Sequence, residues 1–177
     1  TSAYNTSHPK QDASTKWVVF DHGNDQLDFT SGVSLGAFSV YLKIQFDDET
    51  FGDFIFEDDA GSNFLKVQSA TELRVKASGN RHDYAYDGEL TTDTDYIIGY
   101  ERADTPLTTD DQINVYVNGT ALSQSGTGDG TQAITDTLDL DKIGDPANTI
   151  RVQEIVICNA ALSSADRTKL NNYFDNL

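Results

Sequence analysis

From Phe38 to Phe46 apolar side chains alternate with others: Phe38, Val40, Leu42, Ile44 and Phe46 point one way, and Ser39, Tyr41, Lys43 and Gln45 the other. A period of two belongs to extended backbone, where successive side chains leave on opposite faces. The same residues wound into a helix would have no apolar side. The stretch therefore predicts a strand in a sheet with one buried face. The pattern recurs. Leu73, Val75 and Ala77 alternate with Arg74 and Lys76, and Ile113, Val115 and Val117 alternate with Asn114 and Tyr116. Further strands are expected over residues 16–21, 26–29, 54–57, 63–68, 82–86, 96–102, 133–138 and 150–158.

Turn chemistry separates them. Asp21-His-Gly-Asn, the run from Asp58 to Asn63, Ser78-Gly-Asn and Asn118-Gly119 all carry residues that accept tight or left-handed backbone. Asn118-Gly119 supplies two residues tolerant of positive φ, as a two-residue hairpin requires. The same Asn118-Gly-Thr120 matches the N-glycosylation pattern, but its place between two strands favours the turn reading. Asp outnumbers Glu by 23 to 6, which fits a turn-rich, helix-poor chain, since Asp bonds its own neighbouring backbone. Short strands at this spacing predict a sandwich or barrel. One helix is expected, at the C-terminus. Ser163-Ser-Ala-Asp166 has capping-box form, and Leu170, Tyr173, Phe174 and Leu177 make an apolar stripe. The Gly-rich run 124–132 lacks the Lys-Ser/Thr ending of a phosphate cradle and reads as a strand connection.

At 177 residues the chain is expected to form one sandwich, 16–177, preceded by an extended arm, 1–15. The arm has no apolar period and orders only if its own domain or a neighbouring chain holds it. Tyr4, His8 and Pro9 are its bulky or rigid side chains and the candidate assembly contacts. No apolar leader is visible at the start. Methionine is absent, so the first residue is expected to have been exposed by processing or by the choice of segment.

Charge and cysteine content narrow the function. Twelve Lys and Arg against 29 Asp and Glu leave a formal charge of −17. That opposes phosphate backbones and anionic lipid, so neither nucleic acid nor membrane is an expected partner. The single Cys158 permits no intrachain disulfide and is expected to be a small buried hydrophobe. His8, His22 and His82 show no metal-ligand spacing, and no Ser sits in a nucleophile elbow.

Three stretches resemble the concanavalin A-like jelly roll in its laminin-G-like branch. They are Phe38-Ser-Val-Tyr-Leu-Lys-Ile-Gln-Phe46, the hairpin Asn114-Val-Tyr-Val-Asn-Gly-Thr120, and Lys142-Ile-Gly144 followed by Gln153-Glu-Ile-Val-Ile157 and Ala161-Leu-Ser163 with Asp166. The likeness covers roughly residues 17–174 in the family's order. It implies an all-β fold: a two-sheet antiparallel jelly-roll sandwich with a short C-terminal helix. The glucanases of that superfamily carry Glu-x-Asp-x-x-Glu on one strand, which lets two carboxylates flank a glycosidic bond. No such run exists here, so no enzyme is expected and no catalytic residue is named.

No cofactor is expected either. Domains of the laminin-G-like branch often hold calcium through loop aspartates, for which Asp58, Asp59 and Asn63 are the candidates in one loop and Asp93 and Asp95 in another. With so many aspartates, clustering by chance is also expected. For a sugar ligand, His82, Tyr84 and Tyr86 share one strand face and would make a stacking platform, unless that face is the buried one. Alone, His82 reads as an ordinary surface histidine, and Trp17 as a core residue.

The expected function is a non-enzymatic surface recognition or assembly module. Its setting would be a virion surface, as a bacteriophage decoration or fibre-associated protein, or the extracellular space. The expected partners are other protein subunits in a homo-oligomer or virion assembly, with a surface glycan as an additional candidate ligand. A free-standing lectin-like domain and a polysaccharide hydrolase or lyase of the same superfamily are the alternatives.

Overall fold

A computed structural model describes residues 9–11, 16–21, 25–47, 52, 54–77, 80–103, 113–127, 134, 136–144 and 149–177. In chain order the strands are β1 Lys10–Gln11, β2 Val18–Phe20, β3 Gln26–Leu35, β4 Phe38–Phe46, β5 Phe54–Glu57, β6 Phe64–Ser69 and β7 Glu72–Ala77. They continue with β8 Asn80–Ala85, β9 Tyr96–Arg102, β10 Asn114–Val117, β11 Thr120–Ala121, β12 Ser123–Thr127, β13 Leu138–Gly144 and β14 Ile150–Cys158. The helix α1, Ser164–Asp175, follows.

Among the described residues these strands form two seven-stranded sheets, in the orders β1-β2-β14-β4-β9-β10-β11 and β12-β8-β7-β6-β5-β13-β3. Neighbouring strands in both are antiparallel. The fold is an all-β sandwich with one C-terminal helix, as the periodicity predicts.

The inward faces share one core. Phe38, Val40, Leu42, Ile44 and Phe46 of β4 meet Leu65, Val67, Leu73 and Val75 of the other sheet. Burial of such side chains is the main favourable term in folding, roughly 1.5–3 kcal/mol each. Trp17 is buried as expected.

The expectation of one buried face fails for β4. Tyr41 and Lys43, on its outward face, are buried as well. The reason is α1, which lies across that face. Phe174 is completely buried against Tyr41, Ile97 and Tyr116, with Leu170 beside it. The predicted helix stripe is correspondingly narrower: Tyr173 and Leu177 are exposed. The cap is as expected. Ser163 Oγ accepts from the Asp166 backbone N–H at 3.2 Å and donates to Asp166 Oδ2 at 2.7 Å.

Three further expectations are corrected. Of the described residues of the strand expected over 133–138, 134 and 136–138, only Leu138 is in a strand; that strand, β13, runs on to Gly144, with Leu138, Leu140 and Ile143 buried. The first part of the Gly-rich run belongs to β12, which pairs with β8. Cys158 is half-buried rather than buried, at the end of β14. Within the expected arm, Lys10 and Gln11 pair with Val19 and Val18 as an edge strand of their own domain's sheet, one of the two ways of holding the arm that its sequence leaves open.

Candidate functional site

The outward face of the first sheet carries a polar groove where α1 leaves part of it uncovered. Lys43 points outward from β4 because its neighbours Leu42 and Ile44 point in. It lies directly opposite Ile97 of β9. Asp95 precedes β9. On the far side stands the β10–β11 hairpin, whose Asn118 and Gly119 take φ of 49° and 78°. Both values are positive, as the Asn-Gly dipeptide predicts. The turn is clamped to β9: Asn118 N–H donates to Ile97 O at 2.8 Å, and Ile97 N–H donates to Asn118 Oδ1 at 2.8 Å. The helix closes the groove with Asn171 and Asp175, four residues apart and so on one helix face.

Lys43, Asp95, Ile97, Asn118, Asn171 and Asp175 together enclose about 360 Å³. That lies within the usual range of small-molecule sites, about 300–1,000 Å³. Lys43 Nζ donates to Phe174 O at 3.1 Å and stands 3.4 Å from Asp95 Oδ2. Gln45 Nε2 also donates to Asp95, at 3.3 Å. Asn171 Oδ1 is buried and has no hydrogen-bond partner among the described residues. A buried acceptor without a donor costs free energy, about 1–3 kcal/mol. Donors, acceptors and one apolar side chain thus converge on a concavity.

The residues singled out from sequence lie elsewhere, with one exception. Asp95 lines the groove; Asp93, at φ 55°, sits on an exposed turn outside it. His82 and Tyr84 face inward. His82 is buried, with Nδ1 bonded to Gln124 Nε2 at 2.9 Å, so it is not the surface histidine expected. Tyr84 is in the core and its hydroxyl donates to Ile113 O. Their strand face is the buried one, and the three aromatics do not form an exposed platform. Tyr86, half-buried, lines a separate pocket of about 80 Å³ with Asp87, Thr120 and Ser123, well below the usual site volume of about 300 Å³.

Asp58 is occupied by its own turn. Its Oδ1 accepts from Ser62 N–H at 2.7 Å and Asn63 N–H at 3.1 Å, and its Oδ2 accepts from Asn63 Nδ2 at 2.9 Å. Burial pushes its carboxyl up, but the bonds from Asn63 and Ser62 outweigh it and hold it below the usual carboxylate range. Asp59 is exposed, and its N–H donates to Asp141 Oδ2 at 3.2 Å. Among the described residues no three His, Cys, Asp or Glu side chains are gathered as metal ligands would be. Tyr4, His8 and His22 lie outside the described residues; Pro9 stands just before β1.

The groove residues other than Asp95 and Asn118, the latter marked as a hairpin turn, carry no local sequence signal. Lys43 reads as a polar residue of an alternating strand, and Asn171 and Asp175 as a solvated helix face.

Solved structures share this fold. The chain matches Trypanosoma rangeli sialidase at TM-score 0.58 and 17% identity, over 90% of this chain and 28% of that one. It matches the binding domain of Paraclostridial Mosquitocidal Protein 1 at TM-score 0.62 and 13% identity, over 95% and 46%. It matches a heptameric SAP-like pentraxin from Limulus polyphemus at TM-score 0.53 and 10% identity, over 94% and 77%. The chain therefore spans less than half the length of the first two. At these identities the likeness is one of fold. No family model matches the chain, and no curated protein matches it.

Proposed function

We propose that this chain is a non-enzymatic glycan-recognition module that binds a sugar in the groove between α1 and the β10–β11 hairpin. The observation that carries the reading is the concavity of about 360 Å³ in which Lys43, Asp95, Asn118, Asn171 and Asp175 bring charged and amide side chains together. One of them, Asn171, also has a buried Oδ1 without a partner among the described residues. Sugars present hydroxyls that both donate and accept, and this mixture of amides, carboxylates and an ammonium suits them. Among solved structures of the same fold, one is the ligand-binding domain of botulinum neurotoxin serotype D in complex with N-acetylneuraminic acid, at TM-score 0.54 and 11% identity. This chain spans 44% of that one, so the match supports a sugar-binding setting for the fold and not the place of a sugar.

The test is a glycan array with the wild-type chain and Asn171→Ala. The wild type should bind a defined subset of glycans, and the variant should lose them while keeping its thermal midpoint. An array without binders would end the reading. Reducing-end assays on the bound glycans should show no turnover. Turnover abolished by one Asp or Glu substitution would make the chain a hydrolase instead.

The setting we propose is an outer surface, either a virion carrying the module as a decoration or fibre-associated subunit or the extracellular space. A charge of −17 keeps a densely displayed surface soluble and supports this. Labelling of intact particles by antibodies to the chain, together with an oligomer in sedimentation, is the expected result. A monomer absent from particles would favour a free-standing lectin-like domain.

A further inference from the structure

Resting on the glycan-recognition reading, we infer that the groove selects an uncharged sugar residue and rejects its acidic counterparts. Three features set the sign of the field there. Asp95 and Asp175 put two carboxylates in the lining against one ammonium, Lys43. Lys43 is already turned toward Phe174 O and Asp95. The groove also lies at the C-terminal end of α1, whose last turn holds no basic residue. Helix C-termini carry partial negative charge from their unpaired carbonyls. An incoming uronate, sialate or sulfate thus meets negative potential from three sources.

Hydrogen-bond capacity points the same way. Asn171 Oδ1 needs a donor. A sugar hydroxyl that reaches it can supply one; an ionised carboxylate or sulfate set in that hydroxyl's place is an acceptor only, although the other hydroxyls of an acidic sugar still donate. Lys43 in turn disfavours a bare cation, since its ammonium stands 3.4 Å from the carboxylate such an ion would use. A neutral polyol is the ligand class that satisfies both signs of charge without confronting either. Ile97 supplies the apolar side chain on which a ring face can rest.

The experiment pairs sugars that differ only in charge. Oligosaccharides of glucose, galactose and mannose would be titrated against the wild-type chain beside their glucuronate, galacturonate and mannuronate forms. A sialylated galactoside would be included with its asialo form. The neutral member of the binding pair should be preferred by about tenfold or more at low salt, narrowing as salt screens the field. Asp95→Asn combined with Asp175→Asn should close most of that gap. Asp95 is half-exposed and Asp175 exposed, and the amide at position 95 keeps an acceptor for the buried Lys43; a thermal midpoint taken for the double variant beside the titration checks that it is folded. Equal or tighter binding of the acidic member, lost in Asn171→Ala, would overturn the inference and leave the glycan reading standing. Binding of no sugar, or binding untouched by Asn171→Ala, would overturn both.

Discussion

Arg167 of α1 grips Glu101 of β9 with two parallel hydrogen bonds, Nε to Oε1 at 3.2 Å and Nη2 to Oε2 at 2.7 Å. Glu101 is buried at 2% exposure, and the Tyr41 hydroxyl donates to the same Oε1 at 2.7 Å. The guanidinium also lies 4.3 Å from the centre of the Tyr116 ring. The hydrogen bonds to Glu101 push the Arg167 pKa up, while burial and the bond to Glu101 push the Tyr41 hydroxyl well above its ordinary value. This cluster fixes where α1 sits on the sheet. Asn171 and Asp175 follow one and two turns later, so the groove inherits its shape from this ion pair.

Arg167→Ala should therefore destabilise the domain by about 3 kcal/mol, because Glu101 would stay buried without its countercharge. Denaturant unfolding measures the loss. Arg167→Lys should recover only part of it, since a lysine cannot make the two-pronged contact. An Arg167→Ala protein of wild-type stability would mean that α1 docks by apolar contact alone.

Gly119→Val should cost about 1–3 kcal/mol and disable the groove as well. A β-branched residue is strained at a φ of 78°. Its Cβ would also fall 3.1 Å from Asn171 Nδ2. Thermal unfolding reads the first effect and glycan titration the second. An unchanged midpoint would exclude the tight hairpin.

Asp58 links stability to pH. Its folded-state carboxyl is held below the usual range, so its contribution is complete above the unfolded value of about 3.9. The contribution is lost as pH falls through the lower folded value. The stability gap between wild type and Asp58→Ala should be constant from neutral pH down to about pH 5 and then shrink on further acidification. Denaturant midpoints at several pH values give the gap; one that widens toward acid would contradict the assignment.

Tyr84 separates a core role from a binding role. Tyr84→Phe removes only the hydroxyl bonded to Ile113 O and should cost about 1 kcal/mol. Tyr84→Ala should cost about 3–5 kcal/mol by opening a cavity in the core. Neither should alter which glycans bind, provided the protein is folded at the assay temperature. A Tyr84→Phe protein with full stability and lost binding would return Tyr84 to the site.

The short-range features were legible in the residues themselves. Alternation from Phe38 to Phe46 marked β4, Asn118-Gly119 marked the hairpin, and Ser163 with Asp166 marked the start of α1. Each depends on neighbours a few positions apart, the reach of strand pleating, turn dihedrals and capping hydrogen bonds. Period two also put His82, Tyr84 and Tyr86 on one side of their strand. It could not say which side, because a pleat has two faces and only packing against Leu73, Val75 and the opposite sheet turned this one inward. The tertiary structure alone laid α1 over Tyr41 and Lys43, closed the Asp58 carboxylate into its turn, and paired Lys10 and Gln11 with β2. It alone assembled the groove. Lys43, Asp95, Asn118 and Asn171 come from four distant segments, and no local rule acts between residues that meet only when a sheet, a hairpin and a helix are folded together.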